Sequence, residues 1–100
     1  MPELPELNPV IHGKRRLALL SLLMTVEEAE FTWLRARTGS TDGNLGAQMA
    51  KLEEAGYVAV EKNFVQRKPQ TLYRITEAGR QALAEYVQAL KQLLGASMNV

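Results

Sequence analysis

One hundred residues suffice for one domain and leave no room for a second. With 46% apolar and 23% charged residues the chain has the make-up of a globular protein, and its lack of cysteine and single histidine, His12, exclude disulfides, thiol catalysis and the common nitrogen-ligand metal sites, so no cofactor is expected. The net charge of +1 conceals two basic stretches, residues 14–26 and 57–75, each carrying +3, a distribution that a polyanion can read.

Pro2, Pro5 and Pro9 make residues 1–12 an extended arm, because each proline also drives its predecessor out of the helical region. Glu3 and Glu6 stand where a secretory signal carries positive charge, and the longest apolar run, residues 17–24, falls well short of the roughly 20 needed to span a bilayer. The expected compartment is the cytoplasm, with no membrane partner. His12 reads as a capping or packing residue at the junction with the next element.

A first helix is predicted over residues 13–26. Leu17, Leu20 and Met24 form one stripe, but Ala18, Leu19, Leu22 and Leu23 fill most of the remaining circumference, so the helix must be covered on more than one side. Folding a chain of this length removes only roughly 65% of its extended-state surface from water, which leaves a thin margin that a second subunit would widen. Leu19 and Leu23 are therefore expected at a subunit interface. Lys14, Arg15 and Arg16 open the helix, where cations oppose its dipole. They are candidates for an external anion such as a DNA backbone, with Glu27, Glu28 or Glu30 as alternative partners.

Residues 31–38 read as a short helix with Thr32 as N-cap and Gly39 as its stop, and Trp33 within it reads as a core or interface residue. Thr41 caps a better defined helix that carries Asp42 in its first turn and ends at Gly56. Leu45, Met49 and Leu52 make its core stripe. Asn44, Gln48 and Lys51 repeat the same spacing on a second stripe about 110° round the helix. Gly43 and Gly46 cost a helix interior about 1 kcal/mol each, and tight packing against a neighbouring backbone is the expected reason for them.

Residues 57–62 and 71–75 have the β-branched and aromatic content of strands, and the segment between them, residues 64–70, reads as a basic connection containing Arg67, Lys68 and Pro69. Together they predict a two-stranded hairpin. Thr76 then caps a final helix to about Leu94, with Leu83, Val87, Leu90 and Leu94 as the seam of a helix pair and Tyr86 beside it, and residues 95–100 are expected to fray.

This order of elements defines an α+β, mainly α, single domain: a winged helix-turn-helix. It comprises an arm (residues 1–12), a first helix (13–26), the helix-turn-helix (32–56), a hairpin wing of two strands (57–75) and a C-terminal dimerisation helix (76–94). The runs TDGNL at 41–45, KLEEAGYV at 51–58 and PQTLYRITEAGR at 69–80 resemble the small single-domain winged-helix transcriptional regulators related to the MarR and ArsR groups. Gly46 stands where the family commonly has serine, and Gln48 where histidine is frequent. The resemblance implies a DNA-binding homodimer joined through its first and last helices, usually acting as a repressor.

On this reading Thr41, Asn44, Gln48 and Lys51 belong to the recognition helix, residues 41–55. Asparagine and glutamine amides can bond adenine bidentately, and lysine can approach guanine or phosphate. Lys62, Arg67 and Lys68 in the wing, with Arg74 at its strand end, neutralise phosphates without reading sequence. The dimer contact is expected from Leu19, Leu23, Leu83, Tyr86, Val87, Leu90 and Leu94. The expected partners are double-stranded DNA and a second copy of the chain, while the sequence is silent on any small-molecule effector. The alternative is a winged-helix module that docks another protein. No nucleophile motif or phosphate loop is present, so an enzyme is not expected.

Overall fold

The computed structural model describes residues 4–98; residues 1–3, with Pro2 and Glu3 of the predicted arm, and residues 99–100 of the predicted tail lie outside this range. Its elements in chain order are α1 (Lys14–Leu23), β1 (Ala29–Glu30), α2 (Phe31–Thr38), α3 (Asp42–Glu54), β2 (Val58–Val65), β3 (Lys68–Ile75) and α4 (Glu77–Met98). The antiparallel sheet runs β1-β3-β2, so the hairpin is not two-stranded throughout. Ala29 and Glu30 pair with Tyr73 and Leu72 at the hairpin's base, a third strand too short to carry any alternation in the sequence.

One apolar core unites the elements. Ile11 from the arm, Leu19, Leu20 and Leu23 from α1, Leu34 from α2, and Leu45, Met49 and Leu52 from α3 are all buried to within 1% exposure. This corrects the expectation for α1. Leu19 and Leu23 are spent inside the protomer and cannot meet a second subunit, while the outward face of α1 carries Lys14, Arg15, Ala18 and Ser21. Leu83 and Tyr86 on α4 are likewise buried within the protomer, leaving Val87 and Leu94 exposed and Leu90 half-buried. α1 stops at Leu23 rather than residue 26, and α4 continues to Met98 through the stretch expected to fray.

Caps and turns account for the boundaries. Thr41 Oγ1 accepts the N–H of Asn44 to start α3, as its position in the sequence requires. Thr76 Oγ1 does the same for Gly79 at the start of α4. α2 differs: its N-cap is Glu30 without a side-chain bond, and Thr32 instead donates its hydroxyl to the Glu30 carboxylate. Gly39 ends α2 with φ +64°, in the left-handed region, and so turns the chain sharply into α3.

The arm is not a free extension. Asn8 Oδ1 accepts the N–H of Val10, its Nδ2 donates to the Tyr57 hydroxyl at 2.8 Å, and His12 Nδ1 lies 2.9 Å from the Tyr86 hydroxyl. Arg16 fastens the arm from α1. Its Nε donates to the Val10 carbonyl, Nη2 to that of Pro9, and Nη1 to Gln48 Oε1 at 2.7 Å.

Gly79 has a harder constraint. A Cβ there would stand 2.2 Å from the Tyr57 carbonyl oxygen, a backbone atom that cannot step aside. Gly79→Ala is expected to destabilise the domain by about 1–3 kcal/mol, seen as a lowered urea midpoint. Arg16→Ala, by releasing two arm carbonyls and Gln48, should lower stability by about 1–2 kcal/mol in the same assay. Lys14→Ala and Arg15→Ala, on the exposed face of α1, should leave the midpoint unchanged.

Candidate functional site

The turn between α2 and α3 is held on both sides. Thr38 donates its hydroxyl to the Leu34 carbonyl and lies 2.7 Å from the Ser40 hydroxyl, and Ser40 N–H bonds the Arg35 carbonyl. Arg35 reaches across to Asp42 at 2.5 Å; both groups are exposed, so the pair orients more than it stabilises. α3 is thereby presented with Leu45, Met49 and Leu52 facing the core and the opposite side facing solvent.

The side of α3 farthest from the core carries Gly43, Ala47 and Ala50, all exposed, and ends at the exposed Glu54 in the last turn. Neither Gly43 nor Gly46 would bring a Cβ within 4 Å of another group, so close packing does not explain these glycines. Gly43 leaves the helix backbone bare on its outer face, while Gly46 is half-buried on the flank. The amide stripe predicted from sequence lies on the flank. Thr41 and Lys51 are exposed, but Gln48 is taken up by Arg16, and Asn44 keeps Oδ1 shielded from solvent without a hydrogen-bond partner. In these rotamers neither amide can make a bidentate base contact. Gly43 and Gly46 are legible in the sequence as places of close approach, by DNA phosphate or by a neighbouring helix, but Ala47 and Ala50 carry no hydrogen-bonding group that would mark them.

The hairpin leaves the body next to α3. Its connection is only the turn Gln66–Arg67, both residues at positive φ (51° and 66°), with Val65 opposite Lys68 and Phe64 opposite Pro69 in register. The predicted seven-residue connection is thus mostly strand. Such a pair of left-handed positions is what a two-residue hairpin turn demands, here without glycine or asparagine.

Charge along this ribbon is sorted. At the base Arg74 bonds Glu28 at 2.9 Å and Glu61 at 3.3 Å. Asn63 and Arg74 hold the Glu61 carboxyl below its ordinary range, and Glu61 with Glu28 raises the Arg74 guanidinium further. Arg74 is therefore neutralised and is not part of a cationic surface. Lys62, Arg67 and Lys68 are exposed and make no ion pair among the described residues. A second basic site forms where α1 meets the end of α2. Lys14, Arg15 and Arg37 border a cleft of about 600 Å³ floored by Ala18, Leu19 and Leu22, with Arg37 lying over the Trp33 ring at 4.8 Å. Arg16 does not join Lys14 and Arg15 there, being held by the arm and Gln48. The arrangement is a projecting helix flanked by an extended ribbon with unpaired cations, and no described helix is long and apolar enough to cross a membrane.

Known proteins are similar to this chain in sequence or in fold. A protein of Methanocaldococcus jannaschii without an assigned function is 37% identical over 78 residues, spanning 78% of this chain and 85% of its own. A transcriptional regulator homologue from Pyrococcus horikoshii superposes with a TM-score of 0.81 at 25% identity, covering 89% of this chain and 88% of that one. A MarR-family regulator from Rhodococcus sp. RHA1 has the same fold at 21% identity, with a TM-score of 0.68 over 89% of this chain and 62% of that one. The model of the winged helix DNA-binding domain matches residues 15–94, and the chain belongs to that family of winged-helix regulators.

Proposed function

We infer that the protein is a homodimeric repressor that binds duplex DNA sequence-specifically. α3 enters the major groove with the face of Gly43, Ala47 and Ala50 leading, Thr41 and Lys51 at its margins, and Asn44 and Gln48 brought in by rotamer change. The wing lies on the flanking backbone, and Lys14 and Arg15 meet a phosphate beside the helix-turn-helix corner. The observation that carries this reading is the trio Lys62, Arg67 and Lys68, exposed and without ion pairs among the described residues, Arg67 and Lys68 at the tip and Lys62 midway along a ribbon beside a projecting helix. Alanine methyls on the leading face suit contact with thymine methyl groups. The small outer surface lets the α3 backbone come near the groove floor.

The dimer forms through α4. Val87 and Leu94 are 40% and 49% exposed, lie seven residues apart on one side of the helix, and have half-buried Leu90 between them. Covering them removes apolar surface that the protomer alone leaves in water. A two-fold dimer of this kind calls for half-sites about one helical turn apart. Occupation of such a site at a promoter would exclude polymerase.

Two outcomes test the reading. On duplexes selected from a random pool, fluorescence anisotropy should give a log–log salt slope of about −5 or steeper, six wing cations per dimer contributing about −0.9 each and the phosphate contacts of Lys14 and Arg15 adding to it. Arg67→Gln with Lys68→Gln should reduce that slope by about 3 to 4; binding that ignores salt would refute it. Val87→Glu with Leu94→Glu should give a folded monomer in sedimentation and weaken operator binding about 10²-fold or more through lost avidity. If instead the module docks another protein, charge reversal at Arg67 and Lys68 leaves partner capture intact.

A further inference from the structure

Phe64 is the most exposed large apolar side chain among the described residues, at 79%, and it stands near the tip of the wing. Nothing in the protomer's core requires it there. Alternation along β2 puts Phe64 on the same side as Lys62, and register places Pro69 directly opposite. With a two-residue turn, Val65 and Lys68 exchange the closing hydrogen bonds. The next pair, Phe64 and Pro69, falls at a non-hydrogen-bonded site, where proline's missing N–H takes nothing from the ladder and side chains across the strands stand closest. The tip thus presents two apolar rings side by side.

Its surroundings specify the partner. From Lys62 to Leu72 the sequence holds three cations and no acidic residue. β1 pairs only as far as Leu72, so beyond that point the wing is a bare two-stranded ribbon. The turn keeps Gln66 and Arg67 at positive φ, a conformation that glycine would take more easily, and so places a guanidinium at the extremity. An apolar projection ringed by unpaired cations fits a polyanion with an apolar interior. We propose that Phe64, backed by Pro69, is a wedge that enters the minor groove of the bound duplex and partly unstacks a base step. This rests on the DNA-binding reading above: with α3 in a major groove, the groove that the flanking wing reaches is the minor one. Apolar wedges of this type kink DNA, and they act most easily at flexible pyrimidine–purine steps in grooves free of the guanine amino group.

The test uses a 40-base-pair alternating dA–dT duplex carrying 2-aminopurine, and mixed duplexes in which dG·dC pairs are replaced by dI·dC, which removes the minor-groove amino group and leaves the major groove unchanged. The wild type should bind the dA–dT duplex with a rise in 2-aminopurine fluorescence and should favour dI·dC over dG·dC. Phe64→Ala should bind about ten-fold more weakly, lose the fluorescence rise and the inosine preference, and keep the salt slope. Phe64→Leu should retain most of each effect. Because Phe64 is exposed, the variants should melt with the wild type. Salt-dependent binding in which Phe64→Ala stays within two-fold of the wild type, with the fluorescence rise intact, overturns the wedge and leaves the DNA-binding reading standing. Absence of salt-dependent binding by the wild type sinks both.

Discussion

The carbonyl of Tyr57 is the joint on which the geometry turns. It accepts the N–H of Thr76 at 3.0 Å and occupies the space that a side chain at Gly79 would need, while Thr76 Oγ1 donates to the neighbouring Gly56 carbonyl at 2.6 Å. Three junctions meet there: the exit of α3, the start of β2 and the first turn of α4. α3 and the long α4 are thereby fixed to one another by backbone rather than by adaptable side chains. In the dimer proposed above, the angle between these two helices sets the half-site spacing, and Gly79 would hold that angle.

The same economy governs the polar side chains. Arg16 with Gln48, Arg35 with Asp42, and Arg74 with Glu28 and Glu61 each hold one element against another. Groups used in this way are already oriented, so they meet a ligand only by giving up a contact inside the protomer, as Gln48 would on a rotamer change. Among the described residues, the exposed cations outside ion pairs include Lys62, Arg67 and Lys68 on the wing and Lys14 and Arg15 at the cleft beside the helix-turn-helix corner.

Local chemistry was readable in the sequence and long-range pairing was not. Thr41 and Thr76 cap their helices because a hydroxyl and the N–H three residues on are neighbours in any helix start. Gly39 ends α2 because the left-handed position is set by adjacent residues. The fold class and family followed from these marks in order. By contrast, β1 exists only because two residues meet Leu72 and Tyr73 more than forty positions away, and no periodicity announces a two-residue strand. The hydrophobic pattern of α1 was legible, but a pattern cannot say whether Leu19 and Leu23 face their own core or a partner. Gln48 had the chemistry of a base-reading residue, and only the fold brings Arg16 within reach of it.

Pairing also changes where the wing's charge acts. Counted along the sequence, residues 57–75 carry +3 with Arg74 and Glu61 included. Once those two are joined, the same +3 resides in Lys62, Arg67 and Lys68 alone. From Glu61 to the turn is about 17 Å at about 3.4 Å per strand residue. That is about two screening lengths at physiological salt, where the Debye length is about 8 Å. The acidic groups at the base therefore hardly weaken the field at the tip. An undivided +3 spread over the hairpin would attract anions to its whole length, including the side packed on the body. The sorted arrangement leaves no free cation at the base, where Arg74 meets Glu28 and Glu61 and β3 pairs with β1, and directs attraction for anions away from it, toward the turn.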